Sequence, residues 1–291
     1  MLPVVLDLKF LKIYTFGVFL VLAFFWGSYL LWKNVRLTSY KEDDIFDSLF
    51  WSMAGGLFFA RLVYVVMNYD AFGFDILRFI LINGYPGLSL IGGITGGFLT
   101  LAFILRTKKI KLSEIIDYVA SPFLLALAIG ELGSFFSGVE IGTKTKLPLA
   151  IKYAGFDGPR HLTALYESIL FFVAAFICYK LLFDVRREKL PHGFVFFVAI
   201  WIISVVYFLF DKLKEHHLYF LGSSFNEIAS LTVLLTFSFY FIYYFRSFIF
   251  KWLGSITSLL PSYVSKTYGR LAKKTRKETS AGSGNDQKAD N

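Results

Sequence analysis

Charge is scarce in this chain: only 18% of its 291 residues are Asp, Glu, Lys or Arg, against 56% hydrophobic and 20% aromatic. That is too little charge for a soluble surface, which excludes an ordinary globular domain and leaves an integral membrane protein. Cysteine is scarcer still. Cys178 is the only one, inside an apolar run, so no disulfide can form within the chain and a small buried hydrophobe is its expected role. The apolar runs lack the strict alternation of a transmembrane barrel, which leaves helices as the spanning form. No Walker loop, dinucleotide fingerprint, nucleophile motif or metal-ligand cluster occurs, so neither cofactor nor metal is expected. The start, Met1-Leu2-Pro3 with Asp7, Lys9 and Lys12, lacks the small-residue cleavage pattern of a signal peptide, and the first span is expected to stay.

What is present is one apolar run after another, each near the roughly 20 residues that cross about 30 Å of hydrocarbon. The expected spans are Phe10 to Trp32, Ile45 to Met67, Leu88 to Leu105, Ile115 to Ser137, Leu162 to Phe183, Phe194 to Leu213 and Phe225 to Phe250. The fold class is therefore all-α, a polytopic helical bundle of about seven transmembrane helices. Trp26, Trp32, Tyr64, Tyr69, Tyr179, Tyr243 and Tyr244 fall near span ends, as interface belts require. Lys and Arg concentrate in 33–41, 106–111, 186–189 and from Arg246 onward. The positive-inside rule then puts the N-terminus outside and the C-terminus in the cytoplasm. The outer segment from Gly138 to Arg160 breaks that rule with Lys144, Lys146, Lys152 and Arg160, which suggests a task there. The net charge of +9 is spread between spans and in the tail, favouring anionic lipid headgroups over nucleic acid. Residues 1–260 form the membrane domain, and 261–291 a basic cytoplasmic tail whose end has a disordered composition.

Ionisable residues inside such spans mark functional sites by default. Glu131 stands with Ser134 and Ser137 in SPFLLALAIGELGSFFSGVEIG; Arg61 interrupts the second span; Arg160 and His161 precede the fifth, with Tyr166 and Glu167 inside it; Asp211 closes the sixth. A histidine near its ordinary pKa suits proton acceptance, and arginine suits a phosphate. The plain structural reading pairs Arg61 with Glu131 and Arg160 with Glu167. A lone carboxylate at bilayer depth seeks a cation, so Glu131 is expected within ion-pair reach of Arg61 or Arg160. The pairs Gly92-Gly93 and Gly96-Gly97 in the third span suit close helix packing or an irregular backbone lining a cavity.

Five stretches carry a resemblance. KIYTFGVFL, GGLFFARLVYVV, GYPGLSLIGGITGG, IGELGSFFSGVEIG and PRHLTALYES resemble, in order, the aromatic-Tyr-Gly start, the Gly-Arg-x-Gly-Tyr element, the Gly-Met-Ser-Phe-His-Gly-Gly segment, the Gly-Arg-x-Gly-Asn-Phe-x-Asn-Gly-Glu signature and the Arg-His-Pro-x-Gln-Leu-Tyr-Glu element of the bacterial prolipoprotein diacylglyceryl transferase family. The chain is also divergent. The family's histidine aligns with Ile91, its signature arginine with Glu131, its two asparagines with Ser134 and Ser137, and a second arginine with Tyr207; Asp211 and Lys214 keep an acidic position and a cation.

The resemblance implies a bundle with a lipid-sized central cavity in a bacterial plasma membrane. It also implies transfer of a diacylglyceryl group from phosphatidylglycerol, or a related anionic lipid, to the thiol of a lipobox cysteine in a prolipoprotein. Its candidate catalytic residues are His161 as base, Arg160 on the phosphate and Tyr14 as a hydrogen-bond donor. Its candidate substrate-binding residues are Arg61, Glu131, Ser134, Ser137, Gly92, Gly93, Tyr166, Glu167, Tyr207 and Asp211. The alternatives are a family member that only binds lipid or lipoprotein precursors, favoured by Ile91, Glu131 and Tyr207, and a lipid flippase.

Overall fold

The structure is a computed structural model. It describes residues 4–8, 11–73, 75–81, 85, 87, 89–148, 150–153, 156–215, 219–220 and 223–246. The Ile91 side chain, the last residues of the seventh expected span and the whole basic tail lie outside the described residues. Two compact units divide the chain, Met1–Leu234 and Leu235–Asn291, and the first carries the packed helices and the site.

Strands β1 (Val4–Leu8) and β2 (Leu11–Tyr14) form an antiparallel hairpin ahead of helix α1 (Thr15–Val35). Expected to begin at Phe10, the first span thus begins at Thr15. Its first residues pair across the hairpin instead, with Lys12 opposite Asp7 and 3.7 Å from it. Then come α2 (Glu42–Met67), two short helices α3 (Tyr69–Phe72) and α4 (Ile76–Ile80), α5 (Leu90–Thr107) and α6 (Leu112–Ser137). Strands β3 (Ile151–Lys152) and β4 (Pro159–Arg160) interrupt the path to α7 (Thr163–Arg186) and α8 (Phe194–Asp211). Last are the two-residue strands β5 (Tyr219–Phe220) and β6 (Ser223–Ser224), followed by α9 (Phe225–Tyr244).

Among the described residues, six helices are long and apolar enough to cross a membrane: α1, α2, α6, α7, α8 and α9. The third expected span is α5, whose 18 residues begin two positions after the expected Leu88 and end two after Leu105. This is a multi-pass membrane protein with an all-α membrane bundle. Only 11% of the apolar window of α1 is buried, so Leu20, Phe24, Phe25 and Trp26 turn outward, where lipid rather than water solvates them.

Helix α6 is central, packing against α1, α7 and α8, while α2 pairs with α5. Close approach of α1 and α6 comes from Gly27 against Ala126 and from Phe16 and Phe19 over Gly133. Asn34, fully buried, donates to the Tyr118 carbonyl at 2.9 Å and to Ser121 Oγ at 3.1 Å, fixing the register of that pair. The α2–α5 seam is built from small residues, as expected where lipid removes the hydrophobic drive and contact distance decides packing. A methyl added at Gly92 would stand 2.6 Å from the Phe59 carbonyl oxygen, and one at Gly56 3.1 Å from that of Gly93. Gly92 and Gly93, candidates for shaping a lipid site, thus lie in a helix–helix contact.

At the end of the bundle opposite the site, buried Asp117 of α6 accepts from the backbone N–H of Gly193 at 2.6 Å and of Phe196 at 3.0 Å. It thereby caps α8 with a carboxylate supplied by a neighbouring helix. Asp117→Ala strands buried N–H groups and is expected to cost about 2–3 kcal/mol, seen as a lower unfolding midpoint in detergent. Gly92→Ala forces backbone apart and is expected to cost about 1–3 kcal/mol. An unchanged midpoint in either variant contradicts the corresponding contact.

Candidate functional site

The site forms where α6 ends, α7 begins and α8 ends. Segment 141–145 runs between two others: Thr143 N–H donates to the Leu213 carbonyl at 2.8 Å, and His161 N–H donates to the Thr143 carbonyl at 3.0 Å. Bridges Gly142 to Lys214 and Lys144 to Arg160 continue this pairing on both sides. Gly142 is required by close approach, since any Cβ there would collide with His161, its own Cβ lying only 2.8 Å away. The pairing sets Lys214, Glu140, Arg160 and His161 around the ends of the helices.

Lys214 is the hub. Its Nζ lies 2.9 Å from Glu140 and 2.9 Å from Glu167, and Glu167 is fully buried in the first turns of α7. Burial works against the ammonium, but Glu167 and Glu140 outweigh it and hold the lysine above its ordinary pKa. The carboxylates of Glu131, Glu140 and Glu167 offer oxygens within 4.8 Å of one another. Tyr207 of α8 donates its hydroxyl to Glu131 Oε1 at 3.2 Å, and the Lys214 ammonium lies 5.3 Å from the Tyr207 ring centre. Glu131 and Tyr207, both candidates from the sequence, therefore touch each other.

Arg160, 3% exposed, donates through Nη1 to the Gly142 carbonyl at 3.0 Å and pairs with Glu215. Its guanidinium sits 4.9 Å from the Phe156 ring centre. Several buried atoms here have no hydrogen-bond partner among the described residues: Glu131 Oε2, Tyr153 OH, Arg160 Nε, His161 Nδ1 and Thr163 Oγ1. Tyr153 is 5% exposed and Thr163 fully buried, and burial pushes the Tyr153 phenol up, keeping it a neutral donor. Unsatisfied buried polar atoms are costly and rare, so their concentration marks a candidate site, where water or a ligand can supply the partners.

The ion pairs expected from the sequence do not form. Glu131 makes no ion pair with Arg61 or Arg160, and Glu167 is paired by Lys214 rather than Arg160. The reason is that both arginines are already engaged. Arg61, 3% exposed, gives Nε to the Phe79 carbonyl at 2.9 Å, Nη1 to Tyr85 and Gly87 at 2.8 and 2.9 Å, and Nη2 to Arg78 at 2.6 Å. It clamps the connection between α4 and α5.

Of the remaining candidates, Tyr166 packs its ring 5.9 Å from that of Phe210, and Asp211 is 2% exposed at the end of α8. Ser137 gives its hydroxyl to the Ser134 carbonyl at 3.2 Å, closing the last turn of α6. Tyr14 is 58% exposed, directly before the α1 turn whose Phe16 and Phe19 cover Gly133. The structure thus brings Glu131, Glu167 and Tyr207 together around Lys214, sets Arg160 and His161 on the adjoining strand pairing, and leaves Arg61, Gly92 and Gly93 on the α2–α5 side. Glu215, Tyr153 and Thr163 escaped sequence reading. None stands as a charge inside an apolar run, the feature by which a sequence betrays such positions.

Removing one partner from a buried ion pair leaves an uncompensated charge, at about 3–5 kcal/mol. Lys214→Met is therefore expected to lower the detergent unfolding midpoint sharply, and Lys214→Met with Glu167→Gln to recover part of the loss. A double variant no more stable than the single would contradict the pairing.

Comparisons with known proteins agree with this architecture. The profile of the prolipoprotein diacylglyceryl transferase family matches residues 3–243. Three curated relatives carry the name phosphatidylglycerol–prolipoprotein diacylglyceryl transferase. That of Finegoldia magna is 26% identical over 76% of this chain and 86% of its own length. The Clostridioides difficile protein is 31% identical over 70% and 79%, and the Clostridium botulinum protein 29% identical over 83% and 96%. With the profile spanning nearly every helix described above, the chain belongs to the prolipoprotein diacylglyceryl transferase family.

Proposed function

We propose that this protein transfers a diacylglyceryl group from phosphatidylglycerol to the lipobox cysteine thiol of a prolipoprotein, releasing glycerol phosphate, in a bacterial plasma membrane. One observation carries the reading: Tyr153 OH, Arg160 Nε, His161 Nδ1 and Thr163 Oγ1 are buried without partners among the described residues, on one short stretch of chain at the end of a membrane bundle. Arginine and hydroxyl groups donate hydrogen bonds, and a neutral imidazole does so from its protonated nitrogen. A phosphate offers acceptors only. Such a stretch suits a phosphodiester that must be held as its charge grows on leaving. Arg160 and His161 are the catalytic pair of this reading, with Tyr14 a further donor at the same end.

The orientation follows the basic residues. Connections 36–41, 108–111 and 187–193 lie at one end of the helices, and the site segment 138–162 at the other. Placing the first set in the cytoplasm puts the N-terminus and the site outside, where a secreted precursor presents its cysteine. In a Cys178→Ala background, an impermeant thiol reagent applied to intact cells is expected to label Lys146→Cys and to spare Lys109→Cys. The reverse pattern overturns the orientation.

Arg160→Ala and His161→Ala are each expected to abolish conversion of a lipobox precursor in cells depleted of their own transferase, read as a mobility shift, while folded protein persists in the membrane. Loss of one donor to the charge that develops on the leaving group alone slows a reaction about 10² to 10³-fold. If both variants stay fully active, the site assignment is wrong. If the unmutated chain converts nothing, the lipid-binding alternative, which Glu131 and Tyr207 favour, takes its place.

A further inference from the structure

The unpartnered atoms of the site divide by chemistry. Tyr153 OH, Arg160 Nε, His161 Nδ1 and Thr163 Oγ1 are donors or can act as donors, whereas Glu131 Oε2 is a carboxylate oxygen. An ionised carboxylate only accepts. Glu140 and Glu167 differ from it, because both are held by the Lys214 ammonium at 2.9 Å. Among the described residues Glu131 has no ion pair. Its other oxygen is fixed by the Tyr207 hydroxyl at 3.2 Å, which orients the carboxylate and leaves Oε2 facing a place where a donor is missing. A phosphate is an unsuitable occupant there, since three carboxylates lie within 4.8 Å of one another with one ammonium, that of Lys214, among them. A group carrying a proton is suitable. Within the transfer reaction that group is the acceptor's S–H.

We propose that Glu131 is the base that takes the proton from the lipobox thiol, leaving Arg160 and His161 to the departing phosphate. The proposal rests on the transfer reading above. The S–H bond breaks and its proton passes to Glu131 Oε2. The thiolate sulfur attacks the phosphate-bearing carbon of the diacylglycerol moiety, a C–S bond forms, and that carbon's C–O bond breaks with its electron pair on the phosphate oxygen. Glycerol phosphate leaves, and Glu131 returns its proton to water. Nothing is oxidised or reduced. Tyr207 acts as a positioning residue, holding the carboxylate through Oε1.

The test uses purified full-length protein in phosphatidylglycerol vesicles with two lipobox peptides, one bearing cysteine and one bearing selenocysteine, whose selenol is already ionised at neutral pH. Glu131→Gln keeps the size of the side chain and its acceptor for Tyr207. It is expected to slow transfer to the thiol about 10² to 10⁴-fold and to work on the selenol within about tenfold of the parent protein. His161→Gln is expected to be slow on both peptides. If Glu131→Gln fails to fold, Glu131→Asp carries the comparison, with a smaller loss on the thiol and the same rescue. Undiminished thiol transfer by Glu131→Gln overturns the proposal, and so does equal slowing of a folded variant on both peptides. Rescue confined to His161→Gln overturns it too, returning the role of base to the imidazole. A parent protein that modifies neither peptide overturns the transfer reading itself and this proposal with it.

Discussion

One ammonium placed among three carboxylates is the interaction on which the rest of this structure depends. In a low-dielectric interior, a charge without a partner costs several kcal/mol, so the position of Lys214 dictates where Glu140 and Glu167 can be. Glu167 enters from α7, Glu140 from the end of α6, and Lys214 from beyond α8. One ion cluster therefore ties three helix ends together. The strand-like pairing of 141–145 with 159–161 and 213–215 makes this possible, since it holds Lys214, only 11% exposed, against both carboxylates. Gly142 at the centre of that pairing is the geometric condition for it.

Once those charges are assigned, the division of labour among the arginines is set. Arg61 spends its donors on four carbonyls of the 78–87 connection, making it a clamp on a loop. Arg160 keeps Nε without a partner among the described residues while Glu215 and the Gly142 carbonyl hold its Nη1. Two buried guanidiniums that look alike in sequence thus have different capacities toward a ligand. The family relationship explains the scaffold, and within it Glu131 and Tyr207 form one hydrogen-bonded pair beside the Lys214 cluster.

Much of the fold was legible in the sequence because hydrocarbon imposes a length and a polarity on every span. The interior runs of α1, α2, α6, α7 and α8 need no further information. The β1–β2 hairpin was hidden because Leu11–Tyr14 runs directly into the apolar helix, and periodicity over four residues cannot tell strand from helix. At the site, the stretch 160–167 could be read because charge inside a span is conspicuous. Lys214 with Glu167 could not, because the partners stand 47 residues apart and the lysine lies outside any apolar run, where lysines are ordinary. Arg61 failed as a predicted partner of Glu131 for a related reason. Sequence shows the charge on a side chain but not the backbone carbonyls that fold around it.

The transfer proposed for this site is decided by its products. The direct measurement is mass spectrometry of a lipobox peptide incubated with the purified protein in phosphatidylglycerol vesicles, with free glycerol phosphate quantified in the same sample. One diacylglyceryl thioether on the cysteine is expected for each glycerol phosphate released. An unmodified peptide, or glycerol phosphate released without thioether, would contradict it.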